Sequence, residues 1–284
     1  MKIVFNHCSF QYQTLASSRT NVLRNISLEL NSGEMVAVVG STGSGKTTFL
    51  QQLNQLLNPT EGSIHIYDHD SNLEIVDVKQ IRRKIGLVFQ FPESQFFEET
   101  VYKEISFGLK QFKLSDSEVH ERVYDVMNRV GLQPDVFASR IPFELSGGEK
   151  RRVAIACILI LQPEFFVLDE PTAGLDASNV HRIETILKKI HQSGKTVIFV
   201  SHDMDLVARL AQRVLVFNNG EIIFDGSVPD LFDKEDLLNQ ANLDKPRVQQ
   251  YLIELKAKGY PVHTQIFDFE EAKNHILQIL QSNP

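Results

Sequence analysis

Runs of apolar residues organise this chain. "MVAVVG", "KIGLVFQ", "FFVLDE" and "TVIFVSHD" are continuously apolar through their centres and turn polar at their ends. Strands covered on both faces read this way, whereas half-buried strands alternate. "SIHIYD" (63–68) does alternate after the turn signal "NPTEG", which predicts a strand leaving a turn. Helical periods separate the runs. "TTFLQQLNQLL" puts Leu50, Leu53 and Leu57 on one helix face, and "SDSEVHERVYDVMNRVGL" spaces Val119, Val123, Val126 and Val130 helically, with Gly131 as its stop. Strands alternating with helices predict an α/β fold around a parallel sheet.

Between Gln90 and Phe165 the sequence is largely helical, too long an excursion for a connection within one sheet, so a helical subdomain is expected there. "RVLVFNNGEIIFDG" reads as a hairpin turning at Asn218 to Gly220. Beyond Gly226 come two or three amphipathic helices, "PRVQQYLIELKAKG" the clearest, forming a C-terminal extension.

Composition narrows the function. The 284 residues are 42% hydrophobic and 23% charged, an ordinary globular balance with room for one or two domains. A net charge of -7 argues against a protein that coats nucleic acid or anionic lipid. Cys8 and Cys157 lie far apart and suggest reduced cytosolic thiols rather than a disulfide framework or a metal cluster. The longest apolar run, "VAIACILIL" (153–161), is far short of the roughly 20 residues of a membrane helix, and "MKIVFNHCSF" lacks the pattern of a signal peptide. Work at a membrane would therefore need a partner.

The chemistry is concentrated in three places. "VVGSTGSGKTTFL" carries G-x-x-x-x-G-K-[ST] between an apolar strand and an apolar helix. Glycines there turn backbone amides around a phosphate at the positive end of the helix. Gly40, Ser41, Thr42, Gly43, Ser44, Gly45, Lys46, Thr47 and Thr48 are thus the candidate site for a nucleoside triphosphate, with Lys46 on the β- and γ-phosphates, Thr47 on Mg²⁺, and Thr48 opening the helix. In "FFVLDEP", four apolar residues deliver Asp169 and Glu170 to the same sheet edge, as a Mg²⁺ ligand through water and as general base. In "LSGGEKRR", Ser146, Gly147 and Gly148 open another helix with free amides and a hydroxyl, which makes a second phosphate-binding device, a Ser146 N-cap, or both. Two such devices in one chain suggest a head-to-tail dimer.

In their order, these motifs resemble the ATP-binding cassette (ABC) ATPases over about residues 1–226. The resemblance implies a P-loop core with an N-terminal antiparallel β subdomain, a helical subdomain at about 91–160, and a small helical extension at 227–284. It implies ATP and Mg²⁺ as ligands. It makes Tyr12 the aromatic that stacks on adenine, where the residue type alone equally suits an ordinary strand aromatic. Gln90 becomes the hinge glutamine that senses Mg²⁺ and the attacking water, and His202 in "VSHD" the switch histidine facing the γ-phosphate. Leu145, Ser146, Gly147, Gly148 and Glu149 become the signature presented to a partner's nucleotide, and Asp176 in "AGLD" the residue that communicates across the dimer. Glu149 stands where glutamine is usual, and Gly174 where alanine or serine is frequent; neither change removes a reacting group.

"FQFPESQFFEETVYKEISFGL" resembles, more narrowly, the ATPases of energy-coupling factor (ECF) transporters, importers of vitamins and metal ions. This implies that Phe91, Pro92, Glu93, Glu98 and Glu99 belong to the groove that receives coupling helices of a transmembrane subunit. Glu98 and Glu99 would pair with arginines there, or instead complement the dipole of the following helix. The phrase "PESQFFEETV" is closer to the second of two paralogous ATPases. The implied assembly is a second ATPase, a membrane scaffold and a separate membrane substrate-binder, on the cytoplasmic face of the membrane, with no nucleic acid. Another ABC importer, for a metal ion, amino acid or peptide, is the alternative, and a non-transport ABC ATPase a more distant one. The extension would support the dimer or cap the core.

Overall fold

The structure, a computed structural model, describes residues 1–12, 20–68, 71 and 73–282, without the side chains of Thr20, Pro92, Glu93 and Ser282. The chain opens with β1 (Lys2–Tyr12) and β2 (Thr20–Asn31), enters β3 (Met35–Gly40) and turns into α1 (Lys46–Leu53). β4 (Glu61–Tyr67) returns to β1, and α2 (Val78–Lys84) leads into β5 (Ile85–Val88). The helical excursion holds α3 (Val101–Ser106), α4 (Asp116–Arg129), α5 (Pro134–Phe137) and α6 (Gly147–Leu159). Then follow β6 (Phe165–Asp169), α7 (Ala177–Gln192), β7 (Thr196–Val200), α8 (Met204–Leu210), β8 (Arg213–Asn218) and β9 (Glu221–Ser227). The extension consists of α9 (Val228–Phe232), α10 (Glu235–Ala241), α11 (Arg247–Ala257) and α12 (Phe269–Ser282).

Among the described residues the strands form two sheets. An antiparallel sheet runs β2-β1-β4, and a six-stranded sheet runs β5-β6-β7-β3-β8-β9, parallel except for β9. The missing alternation in the apolar runs now has its cause. Ala37, Val39, Phe166, Leu168, Val197 and Phe199 face one core, shared with α3, α4 and α6 to α8. Their chain neighbours Val36, Val38, Phe165, Val167 and Ile198 face another, shared with α1 and the antiparallel sheet. Each such side chain contributes about 1.5–3 kcal/mol by leaving water, so both faces must be apolar.

Some boundaries differ from the periodicity. α1 starts at Lys46 rather than Thr48, with Gly45 at its N-cap in a left-handed conformation (φ 105°). It ends at Leu53 because Gln55 turns left-handed (φ 55°), and the Leu57 amide folds back on the Gln51 carbonyl. Leu57 still packs against the core, carried there by a turn instead of a helix. The predicted hairpin turns at Asn219 and Gly220, φ 50° and 84°, the paired positive values that a two-residue Asn-Gly turn needs.

The extension attaches in two parts. Val228, Leu231, Phe232, Leu238 and Ala241 of α9 and α10 join the core beneath the helical subdomain. α11 and α12 close a small core of their own around Leu252, Val262, Ile266 and Ala272. Among the described residues no helix is long and apolar enough to cross a membrane.

The helix read from its valines is α4. Val123, Val126 and Val130 are buried, Val119 is partly so, and Gly131 stops it with φ 72°. Its start is a capping box: the Ser115 amide donates to Glu118 Oε2 (2.8 Å), and the Glu118 amide to Ser115 Oγ (3.4 Å). Ser115→Ala is expected to lower the free energy of unfolding in urea by about 1 kcal/mol while leaving the cleft unchanged.

Candidate functional site

In a parallel sheet the loops after successive strands emerge at one edge, which is where such folds bind ligands. The loops after β3, β5, β6 and β7 do so here. They enclose a cleft of about 360 Å³, with residues of the phosphate loop and Val22 on one side and Gln90, Asp169, Glu170 and His202 on the other.

The phosphate loop is held by its glycines and its lysine. Gly40 has φ 139°, and a Cβ there would lie 2.1 Å from the Phe217 carbonyl oxygen, so no other residue fits. Lys46 is nearly buried and donates to the carbonyls of Gly40 (2.8 Å) and Ser41 (2.9 Å). Burial pushes its ammonium below the usual lysine range, while Glu170 and Asp169 pull the other way. Ser44 Oγ is buried without a hydrogen-bond partner among the described residues, the kind of orphan that an anion in the loop would satisfy. The Thr47 hydroxyl donates to Asp169 Oδ2 at 2.8 Å, and burial raises the Asp169 carboxyl despite that bond. Tyr12 is half-exposed at the end of β1, its hydroxyl 3.3 Å from Thr48 Oγ1 and its ring edge-to-face with Phe10.

Glu170 and His202 face each other across the cleft, Glu170 Oε1 lying 3.3 Å from His202 Nε2. Glu170 is a non-glycine residue in the left-handed region, φ 49°, and is nearly buried. Burial, helped by Asp169, pushes its carboxyl up to about 7 against the pull of Lys46. Burial, helped by Lys46, pushes the imidazole of His202 down. The pair thus combines a carboxyl that titrates at neutrality with a histidine biased toward its uncharged form.

The structure adds a residue that the sequence did not point to. Arg151 reaches from α6 to the loop after β5, donating from Nη1 to the Gln90 carbonyl (2.6 Å) and more weakly to that of Phe89 (3.4 Å). Its neighbour Arg152 donates to Asn179 Oδ1 (2.9 Å), and Asn179 in turn donates to both carboxylate oxygens of Asp176, the cap of α7. In sequence these are ordinary helix charges, and only the packing of α6 gives them partners.

The signature residues stand apart from this cleft. Leu145 is buried, Ser146 and Gly147 are exposed, and none of residues 145–149 nor Asp176 lines it. Ser146 does cap α6, and Glu149 explains itself: its carboxylate accepts the Ser146 amide (2.8 Å), closing a capping box. Gly148 is packed on Asn179, whose side chain would be 2.3 Å from a Cβ.

At the surface after Gln90, Phe91 is exposed, and Phe97 and Phe107 meet edge-to-face at 4.7 Å. The side chains of Pro92 and Glu93 lie outside those described, and their backbone forms a short 3₁₀ turn. Glu98 pairs with Lys110 (2.9 Å) and Glu99 with Lys103 (2.6 Å). Neither lies in the first turn of α3, which begins after its cap Thr100, so the helix-dipole reading of these two is set aside. The buried carboxylate of Glu104 accepts the amides of Phe97 (3.0 Å) and Glu98 (2.8 Å) and holds the segment in place.

Residues 23–173 match the family model described as ABC transporter. An energy-coupling factor transporter ATP-binding protein EcfA2 of Caldanaerobacter subterraneus subsp. tengcongensis is 43% identical over 99% of this chain and 98% of that protein. The protein of the same name in Clostridium perfringens is 40% identical over the whole of both. Among solved structures, cbiO1 of Clostridium perfringens, part of the ABC transporter complex cbiONQ, is similar at TM-score 0.72 and 33% identity, covering 89% of this chain and 98% of that one. The ATP-binding cassette MJ0796, dimeric and bound to ADP and Pi, is similar at TM-score 0.70 and 28% identity over 80% of this chain and 98% of that one.

Burying Glu170 has a consequence for stability. Its carboxyl titrates near 4.5 unfolded and about 7 folded, so the folded state binds the proton more tightly. Stability is fullest below the unfolded value, falls as pH rises between the two, and levels off above the folded one. Glu170→Gln is therefore expected to be more stable than the parent at pH 8, by on the order of 1–3 kcal/mol, with the gain shrinking toward pH 5. Urea midpoints at the two pH values measure this; an equal gain at both would mean that the carboxyl titrates normally.

Proposed function

This chain belongs to the ABC transporter family as an ATP-hydrolysing subunit of the energy-coupling factor type, and from that premise we propose how it acts. It works as one half of a cassette dimer on the cytoplasmic face of the cell membrane, and its ATP turnover powers uptake of a vitamin or other micronutrient. The observation that carries this reading is the convergence of the phosphate loop, Gln90, Asp169, Glu170 and His202 on one cleft, with a carboxyl there that titrates at about 7.

Amides of the loop from Gly40 to Thr48 cradle the phosphates, Lys46 supplies the positive charge, and Tyr12, beside Thr48, stacks on adenine. Thr47, Asp169 and Gln90 are the residues that would hold Mg²⁺. They offer hard oxygen donors, and the Asp169 carboxyl, raised by burial, gains from a cation. Phosphate oxygens of the nucleotide would complete the cation's shell. When bound, the ion offsets phosphate charge. Glu170 accepts the proton of the attacking water, which His202 orients, as the water oxygen bonds to the γ-phosphorus and the bond to ADP breaks. Arg151 steadies Gln90 through its carbonyl.

The exposed amide end of α6 lies away from the cleft of its own chain. In the dimer, Leu145, Ser146, Gly147, Gly148 and Glu149 serve the partner's nucleotide, and Asp176 relays across the interface. The second ATPase is a paralogue, and the assembly includes a transmembrane scaffold and a separate membrane substrate-binder. Coupling helices dock at Phe91, Pro92, Glu93, Glu98 and Glu99. The exposed pair of Glu99 is worth about 1 kcal/mol or less, and in the pair of Glu98 the lysine is exposed, so these lysines can exchange for arginines of the scaffold. The apolar residues Tyr251, Phe269, Leu277 and Leu280, exposed on α11 and α12, suit an extension that supports the dimer. A net charge of -7 fits the absence of nucleic acid among the partners.

Glu170→Gln is expected to retain ATP binding and lose nearly all hydrolysis. Phosphate release and nucleotide-binding titrations separate these, and undiminished turnover would remove Glu170 as the base. Lys46→Ala is expected to weaken ATP binding itself by at least about tenfold, since it deletes the cation facing the phosphates. Unchanged affinity in a fluorescent-nucleotide titration would count against the cradle.

A further inference from the structure

The turn that carries His202 is tied to the C-terminal extension through one carboxylate. β7 ends at Val200, and Ser201, His202 and Asp203 lead into α8. Within the turn, Ser201 Oγ accepts the Asp203 amide (3.0 Å) and Asp203 Oδ1 the Leu206 amide (3.1 Å). Asp205, in the first turn of α8, is nearly buried and gives both its oxygens to Arg247. Oδ1 accepts the Arg247 backbone amide at 2.7 Å, and Oδ2 accepts the guanidinium Nε. Arg247 opens α11 directly after Pro246, which as N-cap has no side chain to offer the first amides. Asp205 therefore caps α11 from 42 residues away.

The core holds most of α8, and Arg209 also pairs with Glu184 of α7 (3.3 Å). Met204, Leu206 and Val207 sink into the core. On the other side a cavity of about 280 Å³ separates residues 202–205 from residues 242–247. The bonds between Asp205 and Arg247 cross that gap.

We propose that Asp205 and Arg247 are positioning residues for hydrolysis. Their tie fixes the turn so that His202 stands against Glu170, and through it the placement of the extension sets the turnover rate. The proposal rests on the reading of His202 as the group that orients the attacking water. The side chain of Arg247 is otherwise 85% exposed, so its loss leaves the fold standing. Arg247→Ala leaves Asp205 the backbone amide on Oδ1 but takes the guanidinium from Oδ2, and a nearly buried carboxylate oxygen so stripped shifts toward another donor, which moves the turn. Displacements of about 1 Å at such a group are enough to slow chemistry severely.

The test is steady-state ATP hydrolysis by the assembled complex in detergent, with Arg247→Ala, Arg247→Lys and His202→Ala alone and combined. Arg247→Ala is expected to lower kcat about three- to tenfold at unchanged KM for ATP, with partial recovery in Arg247→Lys and no further loss when His202 is already alanine. An equal drop in the His202→Ala background, or no drop in either, overturns the inference and leaves the site standing. A lowered melting temperature with unchanged kcat per folded complex overturns it as well. Full hydrolysis by His202→Ala alone overturns the reading of His202 itself, and the inference with it.

Discussion

Negative charge has to be gathered where water is scarce, and one ammonium makes that possible. Asp169 and Glu170 are adjacent, nearly buried, and placed where a triphosphate would bring more negative charge still. Two unit charges about 4 Å apart interact by roughly 4 kcal/mol at the effective dielectric of such a site. With Lys46 in place the carboxylates and an anion can share the cleft; without it, repulsion of that size acts against every arrangement of them. The loop keeps the ammonium there by giving it two carbonyls, those of Gly40 and Ser41, as fixed anchors. The glycine geometry, the strand before the loop and the sheet edge all follow from the need to bury that cation facing those acids.

A second organising element is α6. Its N-terminus carries the Ser146–Glu149 capping box, Arg151 on its body holds the carbonyls of Phe89 and Gln90, and Arg152 reaches Asp176 through Asn179. Three motifs widely separated in sequence are thus fastened to one rigid rod. Through Arg151 and Arg152, a displacement of α6 would be felt at both Gln90 and Asp176.

The core of the site was legible because its chemistry sits in unbroken stretches of chain. Gly40 to Thr48, Asp169 with Glu170, and His202 each end an apolar run, and a parallel sheet brings such ends together whatever the details of packing. The antiparallel edge hairpin was legible from Asn219 and Gly220 alone. What stayed hidden depended on contacts across the chain. Arg151 and Arg152 look like solvent charges until α6 is packed, and Glu104 like any helix glutamate until its carboxylate meets the amides of Phe97 and Glu98. The end of α1 was misplaced because Leu57 keeps the helical spacing while a left-handed Gln55 carries it. Periodicity records which side chains are buried, and here a turn buried one that a helix would also have buried.

The backbone of Glu170 bends in a way that side chains resist. At φ 49° a glutamate is in a region where glycine and asparagine are at ease, and such positions cost on the order of 1–3 kcal/mol. The chain accepts that strain because it aims a carboxylate into the cleft from the tip of β6. Anyone selecting this protein for thermal robustness would therefore be led toward glycine or asparagine at position 170, and each accepted change would delete the carboxylate that lines the cleft. If Glu170 is the base proposed above, endurance and turnover ask for different residues at this position, and a screen on melting temperature alone selects against turnover.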